Sequence, residues 1–320
     1  MLKSVKWAAG LLALLWSSAS VAQTYPTHPV RIIVPYQAGQ GTDVVARYLA
    51  EYLSRTMGQR FYIENKPGAG GNIGTEAAAH SEADGYTLLM GTNATQTMNE
   101  FMYPSMGFEP DKDFAPIILV GKLPMVISTS PSFAGNSVAD LIAAAKATPD
   151  KVDIALPSTT ARIVFEFLKQ QTGAPLFGVP YKGSATAMTD VLGGQVPVII
   201  DTVTALRSHI IDGKLKPLGI STLKASELLP GVKPVSEQGV PGFGMAGWNA
   251  FYAPRDTPQS IVDQLSRELG KYLAQPETRQ RLLDLGFDPA GGTPAELAEF
   301  EKRERLKWGP LIKATDLKGG

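Results

Sequence analysis

The sequence predicts an α/β protein of two Rossmann-like domains joined by a hinge, with a cleft between them. Three observations carry that prediction. Residues 30–90 read as strand, helix, strand, helix, strand, the mononucleotide-type half of a doubly wound sheet. Residues 138–221 repeat the alternation as a second block. Two apolar runs, 117–129 and 243–253, each suit a crossing between the blocks, and paired crossings make a hinge that closes round a ligand. The expected boundaries are a leader over 1–22, domain 1 over 23–124 and 245–320, and domain 2 over 125–244.

The leader is read from MLKSVK with its two lysines, the short apolar core Trp7 to Trp16, and the small residues of Ser20-Val21-Ala22. These are the three parts of a cleavable export signal, with the cut expected after Ala22. The apolar core is too short to span a bilayer comfortably. Composition agrees with a secreted globular protein. The chain has 320 residues, 44% hydrophobic and 19% charged, enough to bury a large core. Lys+Arg and Asp+Glu are both 30, a balance that argues against nucleic acid or an acidic membrane surface as main partner. There are no cysteines, which excludes disulfides, zinc-thiolate sites and cysteine nucleophiles.

Val30 to Pro35 is β-branched and apolar, as a buried parallel strand should be. The loop YQAGQGTD follows, and Val45, Leu49, Tyr52 and Leu53 then recur at helical spacing. Phe61 to Glu64 is the second strand. NKPGAGGNIG turns into a helix ending near Ala79, and Tyr86 to Met90 is the third strand. Ligands in such sheets sit at the carboxyl ends of the strands, here the loops after Tyr36 and after Met90. In the second block a helix over 138–147 starts at Ser137. Strands at 152–156, 177–180, 196–200 and 215–221 alternate with helices at 163–171 and 184–192. Two helices, 258–274 and 277–285, and a charged helix over 294–312 close the chain. The EKRERLK run in the last reads as a solvated face.

The glycine loop after the first strand raises the question of which anion it holds. A dinucleotide loop needs G-x-G-x-x-G. From Gly39 the sequence gives GQGTDV and from Gly68 GAGGNI, so the third glycine is missing twice, and neither loop ends in the Gly-Lys-Ser/Thr of a P-loop. A smaller anion fits better. Gly39 and Gly41 can turn backbone N–H groups toward one point, reinforced by the helix start behind them. Tyr36, Ala38, Gln40, Thr42 and Asp43 complete the loop. Asp43 is read as a cap that fixes the loop. The second loop, GTNATQTMN, supplies Thr92, Asn93 and Thr95; the second block offers PSTTAR with Ser158, Thr159 and Arg162, and Asp201-Thr202 at a strand end. These are uncharged hydrogen bonders for the most part, suited to orienting a polar solute.

Catalysis finds little support. None of His28, His80 and His209 lies in a candidate ligand loop, and no G-x-S-x-G elbow occurs. Asp43 and Asp201 as a glycosidase-like pair compete with their plainer roles of helix cap and strand end. No cofactor or metal is expected.

Taken together, VPYQAGQGTDVVARYLAEYL, ENKPGAGGNIGTEAAA, DGYTLLMGT, VPYKGSATAMTDVLGGQV and PAGGTPAELAEF resemble the substrate-binding proteins of tripartite tricarboxylate transporters, the Bug family, over essentially the whole mature chain. The resemblance implies type II periplasmic binding protein architecture, a periplasmic location, a small organic acid as ligand and membrane permease subunits as partners. It implies that the loops matching Tyr36–Asp43 and Gly91–Thr95 hold a carboxylate through backbone N–H groups, small polar groups and water. Three departures from the family pattern stand out. Gln40 replaces the second glycine of P-A-G-G. Thr95-Gln96-Thr97-Met98-Asn99-Glu100 replaces Thr-His-x-x-Asn-Pro. The third loop, usually glycine-rich, reads Leu156 to Arg162. Arg162 either pairs with a second carboxylate or lies on the helix face toward solvent, and both readings stand at this point. Leu156, Pro157 and Tyr36 suit a long-chain or aromatic body, so dicarboxylates and aromatic acids are the candidate ligands. The expectation is a solute receptor, monomeric by default. The alternatives are a sensory receptor and, with least support, an exported enzyme acting on a small acid or ester.

Overall fold

The computed structural model describes residues 25–149, 152–315 and 317–318; the expected leader lies outside them. Among the described residues, no helix is long and apolar enough to cross a membrane.

The first lobe is built on β1 (Val30–Val34), β2 (Phe61–Asn65) and β3 (Thr87–Thr92), all parallel and in the order β2-β1-β3. α1 (Gly41–Met57) and α2 (Asn72–Ala79) make the crossovers. Both faces of β1 are covered. Ile32 and Val34 pack with Val45, Leu49 and Leu53 of α1, whereas Ile33 packs on the other face with Ala78 and Leu89. A strand buried on both faces needs a continuous apolar run, which is what VRIIV provides.

β4 (Phe114–Thr129) follows a single-turn α3 (Pro110–Asp113) and is 16 residues long. Its first part pairs antiparallel with β9 (Ala246–Pro254), which lies against β3. Its last five residues pair with β7 (Val198–Thr202) and β8 (Lys216–Ile220). β5 (Asp153–Leu156) and β6 (Phe177–Pro180) extend the second lobe in parallel with β7. One strand thus passes between lobes, and the order across the molecule is β2-β1-β3-β9-β4-β7-β5-β6. A two-residue β10 (Asp288–Pro289) adds to β4 beside Gly121, where a Cβ would stand 2.3 Å from the Asp288 carbonyl oxygen. Neither β10 nor α3 is anticipated by the sequence pattern.

The lobes meet where β4 and β9 cross, and Ser221 ties both crossings. Its N–H donates to the Met125 carbonyl at 2.9 Å, and the Met245 N–H donates to the Ser221 carbonyl at 2.9 Å. The Met125 N–H donates to Ser221 Oγ at 2.8 Å, and that hydroxyl donates to the Met245 carbonyl. Ser221 is fully buried, so each of its polar atoms needs these partners.

In the second lobe, α4 (Val138–Ala147) is capped by Ser137 Oγ, which accepts the Asp140 N–H at 3.0 Å, as expected. α5 (Thr159–Thr172), α6 (Ser184–Leu192) and α7 (Val203–Ile211) complete it. α8 (Gln259–Leu273) and α9 (Pro276–Asp284) return to the first lobe. α10 (Pro294–Thr315) serves both cores. Leu297 packs with Trp248 and Tyr252, while Trp308 and Ile312 enter the cluster of Ile127, Phe165 and Phe243.

The EKRERLK run on α10 is not the plain solvated face that its charge pattern suggests. Glu301 is buried and accepts a hydrogen bond from the Tyr252 hydroxyl. Burial pushes its carboxyl up to about 7, against the pull of Tyr252 and Arg305. Arg305 donates to Glu100 at 2.5 Å, Asp111 at 2.8 Å and the Gln96 carbonyl at 2.9 Å. The run anchors the helix on the loop after β3 through Glu301 and Arg305, while Lys302, Arg303, Leu306 and Lys307 face outward.

Candidate ligand-binding site

Two chambers open between the lobes. The inner one holds about 50 Å³ and is lined by Tyr36, Gln40, Gly41, Thr42, Thr92 and Asn93 from the first lobe. Ser158, Asp201 and Thr202 line it from the second. The outer one holds about 460 Å³ and shares Tyr36, Gln40 and Ser158 with it, adding Thr159 and Arg162. Eleven of the fifteen sequence-derived candidates therefore line the cleft. Ala38 and Gly39 sit at the exposed tip of the first loop. Asp43 and Thr95 are buried behind the surface that the chambers present.

The lobes touch across the cleft. Gln40 Nε2 donates to the Pro157 carbonyl at 3.4 Å, and Asn93 Nδ2 donates to Thr160 Oγ1 at 3.1 Å. Gly41 is one place where they come close: a Cβ there would lie 2.9 Å from Thr202 Oγ1 of the second lobe, and 2.8 Å from Leu123 Cδ2. Only glycine lets the start of α1 approach the second lobe so nearly.

Four helices begin at this cleft, and their caps differ. Ser158 Oγ accepts the Ala161 N–H at 3.1 Å and so caps α5; the helix starts four residues earlier than its periodicity suggests. Thr202 Oγ1 accepts the Ala205 N–H at 3.2 Å and caps α7. α1 and α6, from opposite lobes, have no side-chain cap. Among the described residues the N–H groups of Gly41, Thr42 and Asp43 find no acceptor. Unmet N–H groups at a helix start carry partial positive charge and suit an anion.

Asp43 is not the N-cap of α1, which is Gln40. It reaches back instead from the third helical position. Its carboxylate accepts the Gly39 N–H at 2.9 Å, Arg47 Nε at 2.9 Å and Asn65 Nδ2 at 2.8 Å. Burial alone would raise its pKa, but Arg47, the Gly39 N–H and Asn65 outweigh burial and hold it below the usual carboxylate range. The residue fixes the loop, as expected, and with its charge matched by Arg47 it does not oppose an anion at α1. Replacing Asp43 by Ala should cost about 1–2 kcal/mol at pH 7. A lowered folded-state pKa stabilises above the unfolded value near 3.8 and fades below it, so the cost should shrink in acid. Chemical denaturation at pH 7 and pH 3 checks this.

Thr95 is likewise structural. Thr92 and Thr95 bond reciprocally, N–H to Oγ1, at 3.1 and 3.4 Å. The loop continues as a buried π-helical turn, Ala94–Met98, of the kind that gathers at functional sites. Tyr36 donates to or accepts from Thr92 Oγ1 at 2.9 Å, and burial pushes its phenol up to about 12, so it stays neutral.

Arg162 lines the outer chamber but is not idle: its Nη2 donates to the Lys318 carbonyl at 2.8 Å. Lys182, Tyr181 and Tyr103 line the same chamber. The inner chamber contains further residues that the loop motifs do not reveal, namely Leu123, Met125, Thr160, Ser184, Gly247, Trp248 and Asn249. Asn249 reaches it through strand register, since it faces Thr92 across the β3–β9 pair and donates to Thr42 Oγ1 at 3.1 Å. Ser184 follows KG in a strand-loop-helix step like that of the first loop, which is a signal the sequence does carry.

No group of three or more His, Cys, Asp or Glu able to hold a metal occurs among the described residues.

Residues 45–317 match the model of the tripartite tricarboxylate transporter family receptor. Protein BugT of Bordetella pertussis is 36% identical over 300 residues, covering 93% of this chain and 92% of BugT. Among solved structures, Rpa4515 of R. palustris with adipate is 33% identical with a TM-score of 0.89, over 92% of this chain and 99% of that one. The periplasmic binding protein BugD is 34% identical at 0.86, over 92% and 99%. MatC of Rhodopseudomonas palustris with bound malate is 28% identical at 0.83, over 90% and 100%. With a family model spanning most of its length and both lobes reproduced in these structures, the chain belongs to the tripartite tricarboxylate transporter receptors, the solute-binding proteins that include the Bug proteins.

Proposed function

We propose that this protein is a periplasmic receptor that captures a small dicarboxylate between its lobes and delivers it to a tripartite tricarboxylate-type permease. The carrying observation is the pair of uncapped helix starts, α1 and α6, brought from opposite lobes to one chamber with no basic side chain in its lining. One ligand carboxylate seats there, held by backbone N–H groups and by Thr42, Asn93 and Ser158. The ligand body runs into the outer chamber past Tyr36, Leu156 and Pro157. Its distal acid group meets Arg162, which exchanges the Lys318 carbonyl for the ligand, with Lys182 nearby. A bidentate guanidinium–carboxylate contact is the strong kind. The ligands named with two similar structures, adipate and malate, are both dicarboxylates, which supports this class.

The lobes divide at 124/125 and 244/245, next to the Ser221 tie, and closure about that line makes the form a permease recognises. Export follows from the leader at 1–22. The reading assigns no catalytic step to the chain.

Calorimetric titration of residues 23–320 with dicarboxylates and their monocarboxylate counterparts tests this. A diacid should bind at about micromolar Kd, near −8 kcal/mol, and its monoacid at least tenfold more weakly. Arg162→Ala should weaken the diacid about tenfold or more and leave the monoacid unchanged. Equal affinity of Arg162→Ala and wild type for every diacid would overturn the assignment of the distal group.

A further inference from the structure

The inner chamber contains a single carboxyl group, Asp201, and no basic side chain in its lining. Asp201 is only 2% exposed. Its Oδ1 accepts the Thr202 N–H at 2.7 Å. Among the described residues its Oδ2 has no hydrogen-bond partner, and neither do Ser184 Oγ and Asn249 Oδ1 in the same lining. A buried oxygen with no partner is costly and calls for one from outside the chain.

The chamber has room for one more functional group, and the uncapped starts of α1 and α6 call for an anion. Together those two starts offer a partial charge of about one unit. That matches one carboxylate, not two, and two carboxylates sharing a small dry site cannot both stay ionised. Among the described residues, no neighbouring element supplies the missing positive charge. β4 presents Leu123 and Met125, β9 presents Trp248 and Asn249, and α6 presents Ser184. α1 presents Gly41 and Thr42, while Asp43 is committed to Arg47. On α7, Arg207 donates to the Leu228 carbonyl, and His209, two residues further on, does not line the chamber. On β8, Lys216 donates to the Phe133 carbonyl. Arg162 and Lys182 line only the outer chamber.

We infer that Asp201 acts as a protonated carboxylic acid that donates a hydrogen bond from Oδ2 to the ligand carboxylate, so that capture by the ionised form of the protein takes up one proton. The step is Asp201 carboxylate plus a solvent proton plus ligand carboxylate giving a carboxylic acid–carboxylate pair; no covalent bond between protein and ligand forms. This rests on the carboxylate-receptor reading above. Burial supports it: it pushes the Asp201 carboxyl up to about 6, against the weaker pull of the neighbouring Ser184 hydroxyl, which forms no hydrogen bond to it, and of the Thr202 N–H, and a ligand anion alongside raises it further.

Below about pH 6 the free protein already carries the proton and affinity is level. Above it, affinity falls roughly tenfold per pH unit as long as the bound form stays protonated. Malate and adipate serve as probes, titrated calorimetrically from pH 6.5 to 8.5, where both are ionised, in two buffers of different ionisation enthalpy. The expected results are uptake of about one proton per ligand at pH 8 and a Kd that rises about tenfold per unit. Asp201→Asn keeps a donor without a charge, so its affinity should be level across this range with no proton uptake. Wild-type binding that is level with pH and takes up no proton would overturn the inference. So would proton uptake that persists in Asp201→Asn, or an Asp201→Asn protein that is folded by circular dichroism yet binds neither probe. If neither probe nor any other acid bound wild type at pH 5.5 or 8, the receptor reading itself would fall, and this one with it.

Discussion

Trp308→Ala should destabilise the protein by about 3–5 kcal/mol, the cost usual for removing a large buried aromatic side chain. Trp308 is 0% exposed and sits in the core of the second lobe, although α10 begins on the first. Its indole N–H donates to Glu304 Oε2 at 2.7 Å, and the same oxygen receives the Trp248 indole N–H at 3.1 Å. Truncation leaves a cavity beside Ile312 and removes one of two donors from Glu304. Urea unfolding, followed by tryptophan fluorescence and by circular dichroism, measures the loss. Trp308→Phe should recover more than half of it, since the ring volume returns while the N–H does not. A loss below 1 kcal/mol would show that α10 is not seated in the second core as described.

Gly41→Val should reduce ligand affinity by a hundredfold or more while lowering stability much less. A Cβ at Gly41 already meets Leu123 and Thr202 at under 3 Å, and Thr204 at 3.3 Å. Thr202 and Thr204 belong to the opposite lobe, so separating the lobes relieves that part of the clash. The two extra methyl groups fall where the N–H groups of α1 face the chamber. The expected result is a folded protein that stays open. Small-angle scattering should give a larger radius for the variant than for wild type with saturating malate, and calorimetry should find little or no binding. Wild-type affinity in Gly41→Val would show that the lobes need not come this close to hold a ligand.

The parts of this fold that the sequence makes legible are those with a period. VRIIV and the spacing of Val45, Leu49 and Leu53 announce the first strand and helix without ambiguity. The length of the apolar run before Thr129, broken by Lys122 and Pro124, points to a strand shared between lobes. The site is legible where a glycine loop joins a strand to a helix, so Tyr36, Gln40, Gly41 and Thr42 are found from local pattern alone. Trp248 and Asn249 are not, because they enter the chamber only through the pairing of β9 with β3, more than 150 positions away in the chain. The polar run GTNATQTMN has no hydrophobic period and conceals its π-helical turn. Asp43 illustrates a subtler gap. Its type and position suit a cap, but its partners Arg47 and Asn65 lie one turn and one strand away, and no local rule chooses between bonding forward and bonding back. Glu301 and Arg305 sit in a charge run that looks solvated until the partners Tyr252, Glu100 and Asp111 are folded against it.

The strand shared by both lobes has a consequence for anyone dividing the gene. A cut at 124/125 would hand residues 114–124 to one fragment and 125–129 to the other, and would break the Ser221 tie to Met125 and Met245. The fragment carrying β7 and β8 would lose the flanking stretch of β4 that fixes its register and would be left with a short, easily frayed strand between them. Bared ladder groups on an apolar strand are a template for pairing with other chains. Expressed separately, the halves should therefore accumulate as insoluble aggregate, and truncation studies of this receptor will be informative only if β4 is kept whole.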